Sequence, residues 1–159
     1  MGTPALIDDS LRDFLTRHPM FQGLAPEHVD ILASYASPSR YLPHQRVFQY
    51  GTSAEHFYIV RDGRISVEIP AIEGDPLEIQ TVGNGSVLGW SWLVPPYRWR
   101  FDARALAASS IVVFDGERVR SQCEADPKLG YEMMKRFAGL MAERLGSARQ
   151  VAIRHYSGD

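Results

Sequence analysis

The stretch GTSAEHFYIVRDGRISVEIP, residues 51–70, decides how this chain folds. Phe57, Tyr58, Ile59 and Val60 form a short aromatic and β-branched run, and Asp62-Gly63 follows it as turn chemistry. From Arg64 the residues alternate, with Ile65, Val67 and Ile69 on one side and Ser66 and Glu68 on the other. Two runs of this kind around Asp-Gly read as an antiparallel hairpin. Working outward, RYLPHQRVFQY, PLEIQTV and SIVVFDG are also short and rich in Val, Ile, Phe and Tyr. Gly51, Glu73-Gly74-Asp75-Pro76 and Gly83-Asn84-Gly85 punctuate them. The spacing predicts an antiparallel, jelly-roll-like β-roll over residues 40–115.

Helical periodicity flanks this region. Leu6, Leu11, Phe14 and Leu15 predict a helix that Pro19 ends near His18; Val29, Ile31, Leu32 and Tyr35 predict a second, started by Pro26 and closed at Ser37-Pro38. These N-terminal helices occupy 5–37. After the roll, residues 117–156 return to helix: a short segment over Glu117–Glu124, then a long one with Asp126 as cap and Pro127 in the first turn. Within the long helix Met134, Ala138, Met141, Leu145, Ala148 and Ala152 alternate spacings of four and three, a coiled-coil seam suited to a homodimer. Met133, Phe137 and Leu140 form a second apolar face; a single wide core stripe is the alternative. The fold class is thus α+β, one domain over residues 1–159.

Composition sets limits on function. The chain has 159 residues, 45% hydrophobic and 23% charged, a single cysteine and a net charge of −2. That suits one soluble domain, gives no electrostatic case for direct nucleic-acid binding, and excludes an intrachain disulfide. No apolar run approaches the ~20 residues a membrane helix needs, and the acidic N-terminus is unlike a signal peptide, so the expected location is cytoplasmic. His18, His28, His44, His56 and His155 show no metal-ligand spacing, Cys123 has no CxxC partner, and Ser91 lacks an elbow motif and a local base. Paired Glu124 and Asp126 read as helix-start acids. No catalytic constellation and no metal site are expected. Lys128, Lys135, Arg136, Arg144, Arg149 and Arg154 make the last helix basic, which reads as a solvated face.

The segment most rich in chemistry is 83–106, GNGSVLGWSWLVPPYRWRFDARAL. It holds Trp90, Trp92 and Trp99, with Arg98, Arg100 and Arg104 among them. Its glycines are not the dinucleotide fingerprint, because Leu88 stands where the third glycine is needed and no βαβ context exists.

Three signatures resemble the cyclic nucleotide-binding domain of the Crp/Fnr type. The 51–67 hairpin is one, Gly85-Ser86-Val87-Leu88-Gly89 as the entry to a phosphate-binding cassette is the second, and Arg104-Ala105-Leu106 with Ile111-Val112-Val113 is the third. The resemblance implies a non-enzymatic sensory or regulatory module. Its cassette would bind a cyclic nucleotide with backbone N–H groups of a short helix, a buried Arg on the phosphate and a Glu on the ribose. It places a candidate ligand site at Gly85, Val87, Leu88, Gly89, Trp90, Ser91, Trp92, Arg98, Trp99 and Arg100. Trp90 takes the place of the ribose-binding Glu, Trp99 that of the phosphate Arg, Arg100 that of the following Ser or Thr, and Ala148-Arg149 that of an adenine-touching Thr-Ser pair.

Loss of a buried phosphate's cation costs about 2–5 kcal/mol, and loss of the ribose acceptor about 1–3 kcal/mol more. Three readings of the segment follow. The aromatics fill the site, leaving an interaction or scaffold module; or aromatics and arginines hold another small molecule. In the third, Arg98 or Arg100 restores cyclic AMP or cyclic GMP binding. The filled-site reading requires buried Trp90 and Trp99 with no cavity beside them. After Tyr156 only Ser157-Gly158-Asp159 remain, so no helix-turn-helix reader of DNA is expected to follow.

Overall fold

A computed structural model describes residues 9–157. Helix α1 (Asp9–Arg17), a 3-10 turn (Pro19–Phe21) and α2 (Pro26–Ser34) precede strands β1 (Ala36–Tyr41), β2 (Arg46–Phe48), β3 (His56–Asp62), β4 (Ile65–Ile69), β5 (Leu77–Val82), β6 (Val87–Leu88), β7 (Asp102–Ala105) and β8 (Ser109–Asp115). Helices α3 (Gly116–Ala125) and α4 (Pro127–Tyr156) close the order. The architecture is α+β: helices at both ends flank two four-stranded antiparallel sheets, ordered β1-β8-β3-β6 and β2-β7-β4-β5.

The 51–70 stretch spans both sheets. β3 pairs with β8 and β6 in the first, while β4 pairs with β5 and β7 in the second. Asp62-Gly63 therefore connects neighbouring sheets instead of closing a hairpin within one. Gly63 has φ of 146°, and a Cβ there would lie 2.1 Å from Ser109 Oγ. Only glycine fits this crossing.

Two expected boundaries shift. The second helix stops at Ser34, and Ser37-Pro38 lies inside β1, where Pro38 pairs with Val112. Proline is tolerated there because β1 is an edge strand, with one side of its backbone free of a ladder. Of the first helix, residues 5–8, including Leu6, lie outside the described residues.

The long helix agrees closely with its expected start. Asp126 caps α4 by accepting from the N–H groups of Lys128 at 3.2 Å and Leu129 at 3.4 Å, and Asp115 caps α3 through Arg118 N–H at 3.1 Å. Leu129, Met133 and Phe137 are buried, whereas Met134, Ala138, Leu145 and Ala152 are exposed and Met141 and Ala148 half-buried. The two apolar faces of α4 thus have different fates: one packs inside this chain and the other faces outward.

The core beneath α4 is aromatic. Phe57 stacks on Phe114 at 4.4 Å and on Trp92 at 4.7 Å between ring centres, and Phe137 of α4 meets Phe57 and Trp92 edge-on, each at 5.2 Å. Such burial and ring geometry fix the first sheet, the segment after β6 and α4 as one body.

Candidate ligand-binding site

Between β6 and β7 the chain makes turns, with no helix, so the N-terminal array of N–H groups on which a phosphate cassette depends is missing here. The segment is nevertheless well held. Leu93 N–H bonds Trp90 O at 2.9 Å, Tyr97 N–H bonds Val94 O at 3.0 Å, and the Trp92 indole N–H reaches Gly89 O at 3.2 Å. From α3, Arg120 donates to the Trp92 carbonyl at 2.5 Å and places its guanidinium 4.0 Å from the centre of the Tyr97 ring.

After Tyr97, at φ of 58°, the chain runs extended through Arg98 and Trp99 beside residues 51–54, with Arg98 bridged to Ser53. Ala54 N–H bonds Tyr97 O, Trp99 N–H bonds Thr52 O and Gly51 N–H bonds Trp99 O, at 2.8, 2.9 and 2.8 Å. Extended backbone sends successive side chains to opposite faces. Trp99 therefore points inward and is buried, while Arg98 and Arg100 are exposed. Arg98 is further committed to the Gly51 carbonyl oxygen at 2.9 Å.

Inside, the Trp99 indole lies flat on Phe48, 3.9 Å between centres and 12° from parallel. Gly89, at φ of 91°, lets the indole come so close that a Cβ would sit 2.7 Å from its Cη2 atom. Leu88, Gly89, Trp90, Ser91, Trp99 and Arg100 border a pocket of only about 10 Å³. That is room for about one water and for no nucleotide. The expectation of a filled site is met in part: Trp99 is buried, but Trp90 is only half-buried, meeting Phe101 edge-on at 5.6 Å, and the small pocket beside it reaches Arg100.

The remaining expected site residues lie elsewhere. Trp92 belongs to the aromatic core, and Gly85 and Val87 border a second cleft on the far side of β6. Arg104 turns to the opposite face of its sheet, where it pairs with buried Glu68 at 2.7 Å.

Sequence reasoning missed Arg144. Read as part of a solvated basic face, it is 2% exposed and borders both the small pocket and the second cleft. Burial lowers its pKa by disfavouring the charged form. A signal was present: Met133, Phe137, Leu140 and Arg144 follow one another at spacings of four, three and four, which puts Arg144 on the inward stripe.

The cyclic nucleotide-binding domain pattern matches residues 38–126. The chain belongs to that family. A cyclic AMP receptor protein from Thermus thermophilus is 28% identical over 99 residues, covering 62% of this chain and 43% of the relative. The chain thus spans less than half the length of that relative.

A solved protein from Geobacter metallireducens, assigned as cyclic nucleotide-binding, superposes with a TM-score of 0.74 at 22% identity, over 91% of this chain and 99% of that one. The regulatory subunit of a cAMP-independent protein kinase A from Trypanosoma cruzi, bound to guanosine, gives 0.68 at 21% identity over 88% and 53%. At these identities the two solved structures speak to the fold alone. Among the described residues no three His, Cys, Asp or Glu side chains converge as metal ligands, and no helix is long and apolar enough to cross a membrane.

Proposed function

We propose that this chain is a cytoplasmic sensory or regulatory module whose cyclic-nucleotide cradle is occupied by its own Trp99, so that cyclic AMP binding in the family's geometry is lost. On this reading the two sheets are halves of the family's jelly-roll-like roll, and the module is a homodimer joined through the outer face of α4. One observation carries the proposal: the Trp99 indole lies on Phe48 and against Gly89 in the place assigned to the phosphate cation. The backbone alternation that sends Trp99 inward sends Arg98 and Arg100 outward, so neither arginine is a substitute unless the strand flips.

Calorimetric titration of the protein with cyclic AMP, cyclic GMP and guanosine tests this. The expected result is no heat of binding for either cyclic nucleotide into the millimolar range. Guanosine belongs in the panel because the Trypanosoma cruzi relative holds it. Micromolar binding of cyclic AMP, abolished by Arg98→Ala or Arg100→Ala, would establish the third reading instead. Binding of guanosine alone would favour a repurposed pocket over a filled one.

A further inference from the structure

Arg144 is a buried cation whose hydrogen bonds go only to neutral groups. Its guanidinium donates to Oε1 of Gln80 and, at 3.2 Å, to the carbonyl oxygen of Val87. No carboxylate stands within ion-pair distance of it among the described residues. A guanidinium has five N–H donors in a fork that suits a carboxylate, and a charge withdrawn from water is costly unless an opposite charge meets it.

The side chain borders a cleft of about 360 Å³ between the 3-10 turn, the Gly85–Ser86 turn and α4, a size in the ordinary range for small-molecule sites. The other arginine and the histidine of the cleft are already engaged. Arg136 pairs with Glu132 at 2.6 Å and donates to the carbonyl oxygens of Met20 and Gln22. His18 accepts from Met20 N–H on Nδ1 at 3.0 Å, which leaves its Nε2–H to donate to Gly85 O at 2.5 Å. Glu143, exposed, accepts from the Gln80 amide at 3.1 Å and acts on Arg144 through space without an ion-pair contact. Met20, Val82 and Leu140 add apolar wall.

We propose that this cleft binds a small organic monocarboxylate, whose carboxylate replaces Gln80 as acceptor of the Arg144 guanidinium while its apolar body lies on Met20, Val82 and Leu140. One unpaired cation beside the Glu143 carboxylate favours a singly charged ligand over a phosphate dianion. Arg144 borders the Trp99 pocket as well, so the amide shifts tell the two apart: Gly85, Ser86 and Val87 mark the cleft, Gly89, Trp99 and Phe101 the pocket. Because Arg144 also holds the β6 carbonyl of Val87, a ligand there is positioned to report on the neighbouring cassette.

The experiment is titration of the ¹⁵N-labelled protein with benzoate, its neutral analogue benzamide and inorganic phosphate, followed by amide shifts and calorimetry. Benzoate is expected to shift Gly85, Ser86 and Val87 and the Arg144 side-chain signal, with benzamide and phosphate inert. Arg144→Met should weaken benzoate binding at least ~10-fold, and Arg144→Lys, which keeps the charge and loses the fork, should weaken it severalfold. Glu143→Gln, which removes like charge from the rim, should tighten it. If Arg144→Met does not fold, Arg144→Lys and Glu143→Gln decide. Absence of benzoate-induced shifts into the millimolar range would overturn the proposal. So would benzoate affinity unchanged in the Arg144 variants, or phosphate binding tighter than benzoate.

Discussion

Gly89 and Trp99 are a matched pair, each shaped by the other. The glycine adopts a left-handed φ of 91°, and a methyl group on it would stand 2.7 Å from the indole. Gly89→Ala combines backbone strain with overpacking and should cost about 2–4 kcal/mol in urea unfolding. Trp99→Ala removes a buried ring and should cost about 3–5 kcal/mol. The double variant should be less destabilised than the sum, because the cavity accepts the new methyl. Indole added to Trp99→Ala should raise its melting temperature by filling the vacated space; no rise would argue that the site collapses. Cys123 makes the opposite point. Burial, first, and then nearby Asp126 and Glu124 push its thiol up to about 11. Labelling by a disulfide reagent should be slow at pH 8 and accelerate toward pH 11, the sign of a packed thiol and not of a redox sensor.

At the scale of elements, α4 depends on its first turn. The Asp126 carboxylate is held below the usual range, chiefly by the hydrogen bond from His28 of α2 at 2.7 Å and also by the Leu129 and Lys128 N–H groups. A depressed carboxyl stabilises the fold above its unfolded value, near pH 4, and that contribution disappears as pH falls through the lower folded value. Asp126→Asn should keep much of the cap and lose this acid-limb dependence, while Asp126→Ala should lower the melting temperature at pH 7 by a few degrees; melting curves between pH 2 and 7 check both. The 3-10 turn is tied to the same helix by Arg136, which bonds the Met20 and Gln22 carbonyls, so N-terminal and C-terminal elements are fastened together independently of the sheets.

For the whole molecule, the outer face of α4 poses the main question. Leu145 is 71% exposed and Met134 50%, with Ile153 and Tyr156 beyond them. A seam of this kind is stable when a second helix covers it. The protein should sediment as a dimer, and Leu145→Glu should make it monomeric while leaving its circular dichroism intact. A wild-type monomer at concentrations of roughly 100 μM would remove the seam from consideration.

The sequence by itself determined the succession of helices, strand region and helices, the cap of α4, the family and the aromatic character of the 83–106 segment, because periodicity, caps and turn residues act over a few positions. It did not reveal that β1 begins at Ala36, that Asp62-Gly63 joins two sheets, or that Arg144 is buried. Those depend on which strand becomes an edge and which helix face meets the core. Only the tertiary structure decided that Trp99 is buried against Phe48 and Gly89 while Arg98 and Arg100 are exposed. Three adjacent residues with similar claims on one site are separated by the phase of a strand, and that phase is set by pairing with residues 51–54, nearly fifty positions away in the chain.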